Sequence, residues 1–281
     1  MEYIVKRPIV RAAAFTHQGR VRRRNEDCIA VGGWMRSAPM TEPVVLSHAL
    51  DRPVIALIAD GMGGHPAGDV ASRFAAERLN AGLPQACDSD EALRKALLRV
   101  NHELIAEARK EPARIGMGTT VAGVAVLPGE VAVFNIGDSR VYRVDAGELE
   151  QVSIDDVPHY YIPALGVELR TGELTQHLGG LPYEIPIQPH VVRLPIAGAQ
   201  TWLLCSDGLY DMVDDETIAA AISEDMAATV HALFTAAMSA GGADNISIIL
   251  LRLERNQGAR NPASVTVIGA QCAGNSSRNR S

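Results

Sequence analysis

Short apolar runs recur along the chain at the length of β-strands. Residues 54–59, with the sequence VIALIA, have the length and β-branched content of a strand that is buried on both faces. Three further runs are separated only by short glycine-containing turns, which predicts an antiparallel meander. The runs of this meander are residues 119–127, 130–136 and 140–144, and other strands are predicted at residues 9–16, 201–205 and 246–253.

Between these runs, apolar residues repeat every three or four positions, which predicts amphipathic helices. One helix is expected to begin near Pro66, directly after a glycine-rich turn. A second is marked by Asp88 and Glu91, which form a capping-box pattern. A third covers residues 225–240 and is followed by two glycines, as helix C-termini often are.

The composition is that of a globular protein, with 281 residues, 47 % hydrophobic residues and 21 % charged residues. We expect a single domain over residues 1–254. Within it, residues 147–195 are rich in proline and glycine, which predicts an irregular, flap-like surface segment rather than core. Residues 255–281 are rich in Asn, Ser and Gly and are expected to be a disordered tail.

The net charge of −7 is unevenly distributed along the chain. Residues 255–281 contain four arginines and no acidic residue, so residues 1–254 carry −11. A body of this charge repels nucleic acid, which argues against a DNA- or RNA-binding role.

The cysteines and the N-terminus indicate in which cellular compartment the protein is expected. Cys28, Cys87, Cys205 and Cys272 are widely spaced and form no C-x-x-C pair, which argues against a disulfide framework and favours a reducing, cytoplasmic setting. The first residues lack the apolar core of a signal peptide, and no apolar stretch has the length of a membrane span. We therefore expect a cytoplasmic protein that does not bind membranes.

Carboxylates stand at the ends of several predicted strands. In isolation, an Asp-Gly pair after a strand, such as Asp60-Gly61, is most simply a capped turn. Packed sheets bring strand ends together, however, and a cluster of uncompensated carboxylates is costly to bury. Divalent cations resolve this conflict, and an all-oxygen ligand set favours Mg²⁺ or Mn²⁺ over zinc. The acidic residues concerned are Glu26, Asp27, Asp60, Asp138, Asp207 and Asp244.

Four arginines between residues 20 and 24 directly precede the first of these acidic positions. Such a basic run is most often a solvated turn. Guanidinium groups beside carboxylates also suit a site that holds a phosphate and a cation together. Carboxylates, two hard ions and a nearby arginine together indicate two-metal phosphoryl chemistry.

Six motifs, in the order in which they occur, make the chain resemble the metal-dependent Ser/Thr protein phosphatases, the PPM or type 2C family, in their bacterial form. As a set they are highly specific, although no single one is. They are Gly19-x-x-Arg22-x-x-Asn25-Glu26-Asp27, Ala59-Asp60-Gly61-Met62-Gly63-Gly64-His65, Gly118-Thr119-Thr120, Gly137-Asp138-Ser139-Arg140, Ser206-Asp207-Gly208-Leu209 and Ala243-Asp244-Asn245.

The resemblance implies two bound ions, Mn²⁺ or Mg²⁺. Asp60 is expected to bridge them, and the main-chain carbonyl of Gly61 to contact one of them. Glu26 would hold the same ion as Gly61, directly or through water, while Asp207 and Asp244 would complete the other. In this family, water activated by the two ions attacks phosphorus in line, without a phosphoenzyme.

Other roles are also implied by the resemblance. Arg22 is expected to bind the phosphate oxygens of a phosphoserine or phosphothreonine substrate. Asp27 and Asp138 would support the ligands rather than contact the ions. Three uncharged residues would shape the strand ends around the cluster, namely Thr119, Thr120 and Asn245.

The chain departs from the family pattern at two places. Many eukaryotic members have a histidine, proposed as general acid, where this chain has Met62; His65 lies three places further on and does not inherit that role. The proton donor is therefore unassigned. Some bacterial members bind a third ion through an acidic residue shortly before the Gly-Thr-Thr motif, but only Glu111 is near here, so a third ion is not expected.

The resemblance further implies an α+β fold, a four-layer α/β/β/α sandwich in which two antiparallel sheets are flanked by helices. The substrates would be phosphorylated proteins, with a Ser/Thr kinase and its targets as partners, and the protein is expected to be a monomer. Two alternatives remain open. One is a catalytically silent relative that binds phosphoproteins, and the other is a two-metal nuclease or phosphodiesterase, which the acidic body disfavours.

Overall fold

The computed structural model describes residues 8–62, 67–145, 147–162, 167–170 and 173–254. The strands are β1 (Ile9–His17), β2 (Cys28–Val31), β3 (Trp34–Arg36), β4 (Val44–Ala49), β5 (Val54–Ala59), β6 (Gly118–Thr119), β7 (Val121–Leu127), β8 (Glu130–Ile136), β9 (Arg140–Asp145), β10 (Glu148–Gln151), β11 (His159–Ile162), β12 (Val167–Arg170), β13 (Leu178–Gly179), β14 (His190–Pro195), β15 (Gln200–Cys205) and β16 (Ile246–Glu254). The α-helices are α1 (Gly68–Gly82), α2 (Asp90–Ala108), α3 (Asp207–Tyr210), α4 (Asp215–Ala221) and α5 (Met226–Ser239).

Most of the strands form two antiparallel sheets. The first sheet has the order β10-β9-β15-β16-β1-β4, and the second has the order β14-β8-β7-β5-β2-β3. Helices α1 and α2 pack on the second sheet, whereas α5 packs on the first, against β1 and β16. The predicted α+β class, with two antiparallel sheets between helical layers, is confirmed.

Strand β5 contributes side chains to both hydrophobic cores of the sandwich. All six of its residues are buried. Val54, Ala56 and Ile58 belong to the core between the two sheets, while Ile55 and Leu57 pack in the core under α1 and α2. Because side chains alternate across a strand, a continuous apolar run is required when both faces are covered. The strand therefore ends among buried residues, with Asp60 next in the chain.

The helix boundaries differ slightly from those predicted. Helix α2 is capped by Ser89, whose hydroxyl accepts a hydrogen bond from the Ala92 amide at 3.2 Å, and not by Asp88 as the capping-box pattern indicated. Either residue type can cap a helix, so the pattern located the N-terminus with an error of one position. Helix α5 is capped by Asp225, in agreement with the sequence.

The predicted meander is wrong at its second joint. Strands β7 and β8 pair as expected, but β9 pairs with β10 and β15 in the other sheet. At the joint, Gly137 has φ +99°, and its amide donates to Asp156 Oδ2 at 2.8 Å. This backbone conformation suits glycine and carries the chain across from one sheet to the other.

Residues 147–195 contain more regular structure than their proline content predicts. Strand β10 closes one edge of the first sheet, and β14 closes one edge of the second. Leu178 and Val191 are buried in the core under α2. The segment thus contributes to the core at several points. Its strand β14 can end in a proline because it is an edge strand, and edge strands tolerate proline where central strands do not.

Two other expectations concern the rest of the chain. In the part of the chain that the structure describes, none of the helices has the length and apolarity needed to cross a membrane. The tail expected at residues 255–281 lies outside the described residues.

Candidate metal centre

The backbone of Asp60 is fixed by the Gly-Thr-Thr motif on the neighbouring strands. Its carbonyl oxygen accepts hydrogen bonds from the Thr120 amide at 2.9 Å and the Thr119 hydroxyl at 2.7 Å. Its amide donates to Thr120 Oγ1 at 3.3 Å. Since the backbone groups are satisfied in this way, the position of the carboxylate is set by the sheet itself. Thr119 and Thr120 therefore hold the backbone of Asp60 at the end of β5.

Gly61 is held between two parts of the backbone. Its amide donates to the Glu26 carbonyl at 3.1 Å. A Cβ at this position would lie 2.5 Å from the carbonyl oxygen of Gly68 and 2.6 Å from that of Glu26. Both are backbone atoms that cannot move aside independently, so only glycine fits here.

Replacing Gly61 by Ala is expected to lower the free energy of unfolding by about 2 to 3 kcal/mol, because the methyl group overpacks the backbone. In thermal melts this corresponds to a loss of roughly 5 to 10 °C. Gly129→Ala is the matched control, since φ there is +92° but no atom lies within 4 Å of the added methyl group. It should cost about 1 kcal/mol. Equal losses in the two variants would contradict the steric argument.

Asn245 fastens the loop that carries Arg22 and Glu26. Its side-chain amide donates to the carbonyls of Gln18 at 3.0 Å and Arg24 at 2.9 Å. Its Oδ1 accepts from the Glu26 amide at 2.7 Å. One side chain therefore joins β16 to both ends of the loop, which places Glu26 beside Gly61.

We expect Asn245→Ala to destabilise the protein by about 3 kcal/mol, because three backbone groups lose their partner. Chemical denaturation measures this directly. Asn80→Ala is the matched control, since Asn80 accepts one exposed hydrogen bond, from the Gly33 amide at 3.2 Å, and alanine favours helices. A loss below about 1 kcal/mol for Asn245→Ala would show that the loop does not depend on this side chain.

Asp27 is fully buried behind the cluster, where it ties three strands together. Its Oδ2 accepts hydrogen bonds from Ser206 Oγ at 3.0 Å and from Ser247 Oγ at 2.6 Å. Burial raises the pKa of Asp27 to about 6, although hydrogen bonds from Ser247 and Ser206 counteract part of this shift. These contacts join the start of β2 to the end of β15 and to β16.

Asp207 lies at the start of α3, where the chain leaves β15. Its Oδ1 is buried and has no hydrogen-bond partner among the described residues. Burial raises the pKa of Asp207 well above its usual value, and the neighbouring carboxylates of Asp244 and Asp138 raise it further. The carboxylate is thus both desolvated and surrounded by like charge.

Asp60 is in the same electrostatic situation. Burial raises its pKa well above the usual value, and the carboxylates of Asp27, Asp207, Asp138 and Asp244 add to the shift in that order. Asp138 and Asp244 therefore lie close enough to repel the carboxylates of Asp60 and Asp207. The structure brings together the acidic residues that the sequence placed at separate strand ends.

Arg22 contacts this cluster through a carboxylate that was predicted to hold a metal ion. Its Nη2 donates to Asp244 Oδ2 at 2.5 Å. This hydrogen bond raises the pKa of Arg22, as do the nearby charges of Asp207 and Asp60. The guanidinium therefore supplies positive charge at the cluster, and its side chain is 41 % exposed, so it is also accessible from solvent.

Glu26 has a neighbour that the sequence reasoning missed. Burial raises the pKa of Glu26, and the next largest contribution comes from Asp69 in the first turn of α1. An acidic residue in a first helical turn is usually explained by the helix dipole, so its sequence position gives no sign of a second role. A Cβ added at Gly68 would lie 3.4 Å from Glu26 Cδ, so the start of α1 lies beside Glu26.

Within the described ranges, no three His, Cys, Asp or Glu residues form a group arranged to hold one metal ion. The predicted ligand set includes a main-chain carbonyl, and its Asp244 is hydrogen-bonded to Arg22. The chemistry of the donors nevertheless fits a hard divalent cation, because all are oxygens and the buried Oδ1 of Asp207 lacks a partner. A cation would offset the repulsion that raises the pKa values of Asp60 and Asp207.

Two other predicted positions concern proton transfer and nucleophiles. Met62 donates its amide to the Gly118 carbonyl at 3.1 Å, and its thioether carries no proton to give. His65 lies outside the described residues. Cys205 is buried, and burial raises the pKa of its thiol, which fits a hydrophobic packing role rather than a nucleophilic one.

A family model described as protein phosphatase 2C matches residues 44–244, which is more than half of the chain. The chain belongs to the protein phosphatase 2C family. The sequence prediction of this family is thereby confirmed. The first motif, at residues 19–27, precedes the matched range.

Two relatives illustrate this similarity. The serine/threonine phosphatase stp of Listeria monocytogenes is 32 % identical over 264 residues, which cover 87 % of this chain and 96 % of that protein. The serine/threonine protein phosphatase PstP of Mycobacterium tuberculosis is 30 % identical over 253 residues, covering 86 % of this chain but 45 % of that protein.

Solved structures of the family agree in fold. The crystal structure of PstP from M. tuberculosis matches with a TM-score of 0.67 at 29 % identity, over 88 % of this chain and 99 % of that chain. The PstP catalytic domain in complex with two manganese ions matches with a TM-score of 0.66 at 30 % identity and the same coverage. The protein phosphatase 2C sandwich is thus the fold of this chain.

Proposed function

We propose that this member of the protein phosphatase 2C family removes phosphate from phosphoserine and phosphothreonine in proteins, with water activated at two divalent ions attacking phosphorus in line. The observation that carries this proposal is that the buried carboxylates of Asp60 and Asp207 are repelled by each other and by Asp138 and Asp244, and that Asp207 Oδ1 is buried without a partner among the described residues. The relatives named as serine/threonine phosphatases support the choice of substrate.

The metal ions are proposed to be Mn²⁺ or Mg²⁺, two in number. The donor chemistry supports this choice, and so does the PstP catalytic domain, which was solved with two manganese ions. Asp60, the Gly61 carbonyl and Glu26 would hold one ion, and Asp60, Asp207 and Asp244 the other. Such ions lower the pKa of bound water and neutralise charge on a phosphoryl group.

The residues of the chain then have distinct tasks. The Thr119 and Thr120 hydrogen bonds hold Asp60 in place, and Asn245 holds the loop of Glu26 and Arg22. A cation near Asp244 competes with Arg22 for its carboxylate, which would free the guanidinium to bind phosphate oxygens in a bidentate manner. Arg22 and Asp60 are therefore the residues proposed to act at the reacting phosphate.

The test is hydrolysis of p-nitrophenyl phosphate and of a phosphothreonine peptide by the full chain, with Mn²⁺ or with EDTA. Turnover of both substrates with Mn²⁺ and its loss with EDTA are expected. Turnover that persists in EDTA would contradict the metal-dependent mechanism. Binding of the phosphopeptide without any turnover would instead show a silent phosphoprotein-binding relative.

The setting of the enzyme is also a proposal. We infer a cytoplasmic signalling role, as a monomer that opposes a Ser/Thr kinase on shared targets. The unpaired, buried thiols of Cys28, Cys87 and Cys205 support a reducing compartment. PppA of Pseudomonas aeruginosa, a structural relative with a TM-score of 0.65 at 28 % identity, is described as a regulatory component of its type VI secretion system.

A further inference from the structure

The loop between β1 and β2 carries more positive charge than the proposed mechanism uses. Arg20, Arg22, Arg23 and Arg24 are all exposed, and Val21 between them is 68 % exposed. Arg22 is hydrogen-bonded to Asp244. The other three guanidinium groups make no hydrogen bond or ion pair with any of the residues that the structure describes. Their charge is therefore not accounted for by the stability of the fold.

This loop is an ordered part of the fold. The Arg20 amide donates to the Gly242 carbonyl at 2.8 Å, and Asn245 donates to the carbonyl of Arg24 at 2.9 Å. Gly19 has φ +75°, and a Cβ there would lie 2.1 Å from the carbonyl oxygen of Asp244. The backbone of the loop is thus pressed against the start of β16, and the arginine side chains extend from a fixed base.

The loop also lies directly beside the carboxylate cluster. Arg22 donates to Asp244, and Asn245, the next residue in the chain, donates to the carbonyl of Arg24 at 2.9 Å. Four adjacent positive charges repel one another, and residues 1–254 otherwise carry a strong negative excess. The position of the loop at the entrance to the proposed phosphate site indicates a ligand with several negative charges.

We propose that Arg20, Arg23 and Arg24 form an anion-binding subsite that selects substrates with anionic side chains close to the phosphorylated residue. This inference rests on the proposed function, since it assigns the substrate class of the same site. An extended peptide advances about 3.3 Å per residue, so the groups concerned lie within roughly three residues of the phosphate. Carboxylates of Asp and Glu, or a second phosphate group, supply the required chemistry.

The test uses the full chain with Mn²⁺ and phosphothreonine peptides that differ only in their flanking residues. One peptide has aspartate flanks, one has neutral flanks, and one has neutral flanks with a second phosphothreonine. Each kcat/KM value is divided by the value for p-nitrophenyl phosphate, which has no flanking residues. At about 50 mM salt we expect the two more anionic peptides to be preferred about tenfold over the neutral peptide. At about 0.5 M salt the preference should fall below roughly twofold.

The variant that tests the subsite is the double substitution Arg23→Glu and Arg24→Glu, which we expect to remove or reverse the preference. Arg52→Glu is the matched control. Arg52 is also exposed, but it precedes β5 at the end opposite to Asp60, and the six residues of β5 between them span roughly 20 Å at 3.3 Å per residue. It should retain the preference of the unmodified protein. Thermal melts establish that each variant is folded, and the salt series on the unmodified protein does not depend on any variant.

Each outcome has a defined meaning. Equal use of anionic and neutral peptides at low salt would overturn the subsite, as would a preference that survives in the double variant. A preference for the second phosphate but not for aspartate supports the subsite with phosphate as its ligand. If the unmodified protein does not hydrolyse p-nitrophenyl phosphate, the proposed function fails and the subsite fails with it.

Discussion

Replacing Asp60 by Asn is expected to abolish Mn²⁺-dependent phosphate hydrolysis and, at the same time, to make the metal-free protein more stable. Asp60 is the position proposed to bridge two ions, so its loss should lower kcat by roughly 100- to 1,000-fold or more. Without metal, the same carboxylate is a buried charge beside Asp27, Asp207, Asp138 and Asp244. Removing that charge relieves repulsion, which should stabilise the fold by on the order of 1 kcal/mol or more.

The measurement pairs turnover with thermal melts in EDTA and in Mn²⁺. Asp207→Asn should behave like Asp60→Asn, because Asp207 carries a buried oxygen without a partner. Asp51→Asn is the matched control, since Asp51 is exposed at the turn before β5 and should change neither quantity. An Asp60→Asn variant that keeps more than about a tenth of the turnover, or that melts earlier in EDTA, would contradict the proposed role.

Loss of stabilisation by Mn²⁺ is the second part of the same result. A ligand that binds only the folded state stabilises it by about 2.7 kcal/mol at 100 times its dissociation constant. The unmodified protein should therefore melt later in Mn²⁺ than in EDTA, and Asp60→Asn should lose this difference. A structural defect would lower the melting temperature in both conditions, so the two explanations are separable.

The strands that the sequence predicted best are those whose environment is uniform along their length. The six residues 54–59 form β5 as predicted, because a short, continuous apolar run is stable as a strand when both faces of its sheet are covered. The path between sheets was not predictable in the same way. The turn Gly137-Asp138-Ser139 has the composition of a hairpin turn, and its crossing depends on a hydrogen bond to Asp156, which is distant in sequence.

The candidate site, like the fold, could be predicted only in part from the sequence. Carboxylates beside apolar strands predicted that an acidic cluster would form, since the fold brings strand ends together. The hydrogen bonds and close contacts that hold the cluster together could not be predicted from the sequence. They join residues that are far apart in the chain, and no local sequence pattern marks such partners. Asn245 bonding to both ends of the Arg22 loop, and Asp69 lying near Glu26, are contacts of this kind. Local pattern thus identifies the chemical groups, and tertiary packing assigns their partners.

The stability of the metal-free protein is expected to fall as the pH rises from about 4 to 6, because of Asp27. Burial raises its pKa from 3.8 to about 6 in the folded state. The folded state therefore binds this proton more tightly than the unfolded chain does, and the advantage disappears as the pH passes the folded value. A shift of about two pH units corresponds to on the order of 3 kcal/mol.

Bound Mn²⁺ should reverse this dependence, since ions bind deprotonated carboxylates and compete with protons for the cluster. The stabilisation by Mn²⁺ is accordingly expected to grow from pH 5 to pH 7.5, while the contribution of Asp27 to the melting temperature in EDTA falls until the pH passes about 6. His17 and His48 oppose the fall, because burial lowers their pKa values and the folded state gains stability as they lose their protons. The difference in melting temperature between the unmodified protein and Asp27→Asn does not include the histidine contribution, since both proteins contain the same histidines. If this difference does not change with pH in EDTA, the buried Asp27 carboxyl does not titrate as its surroundings require.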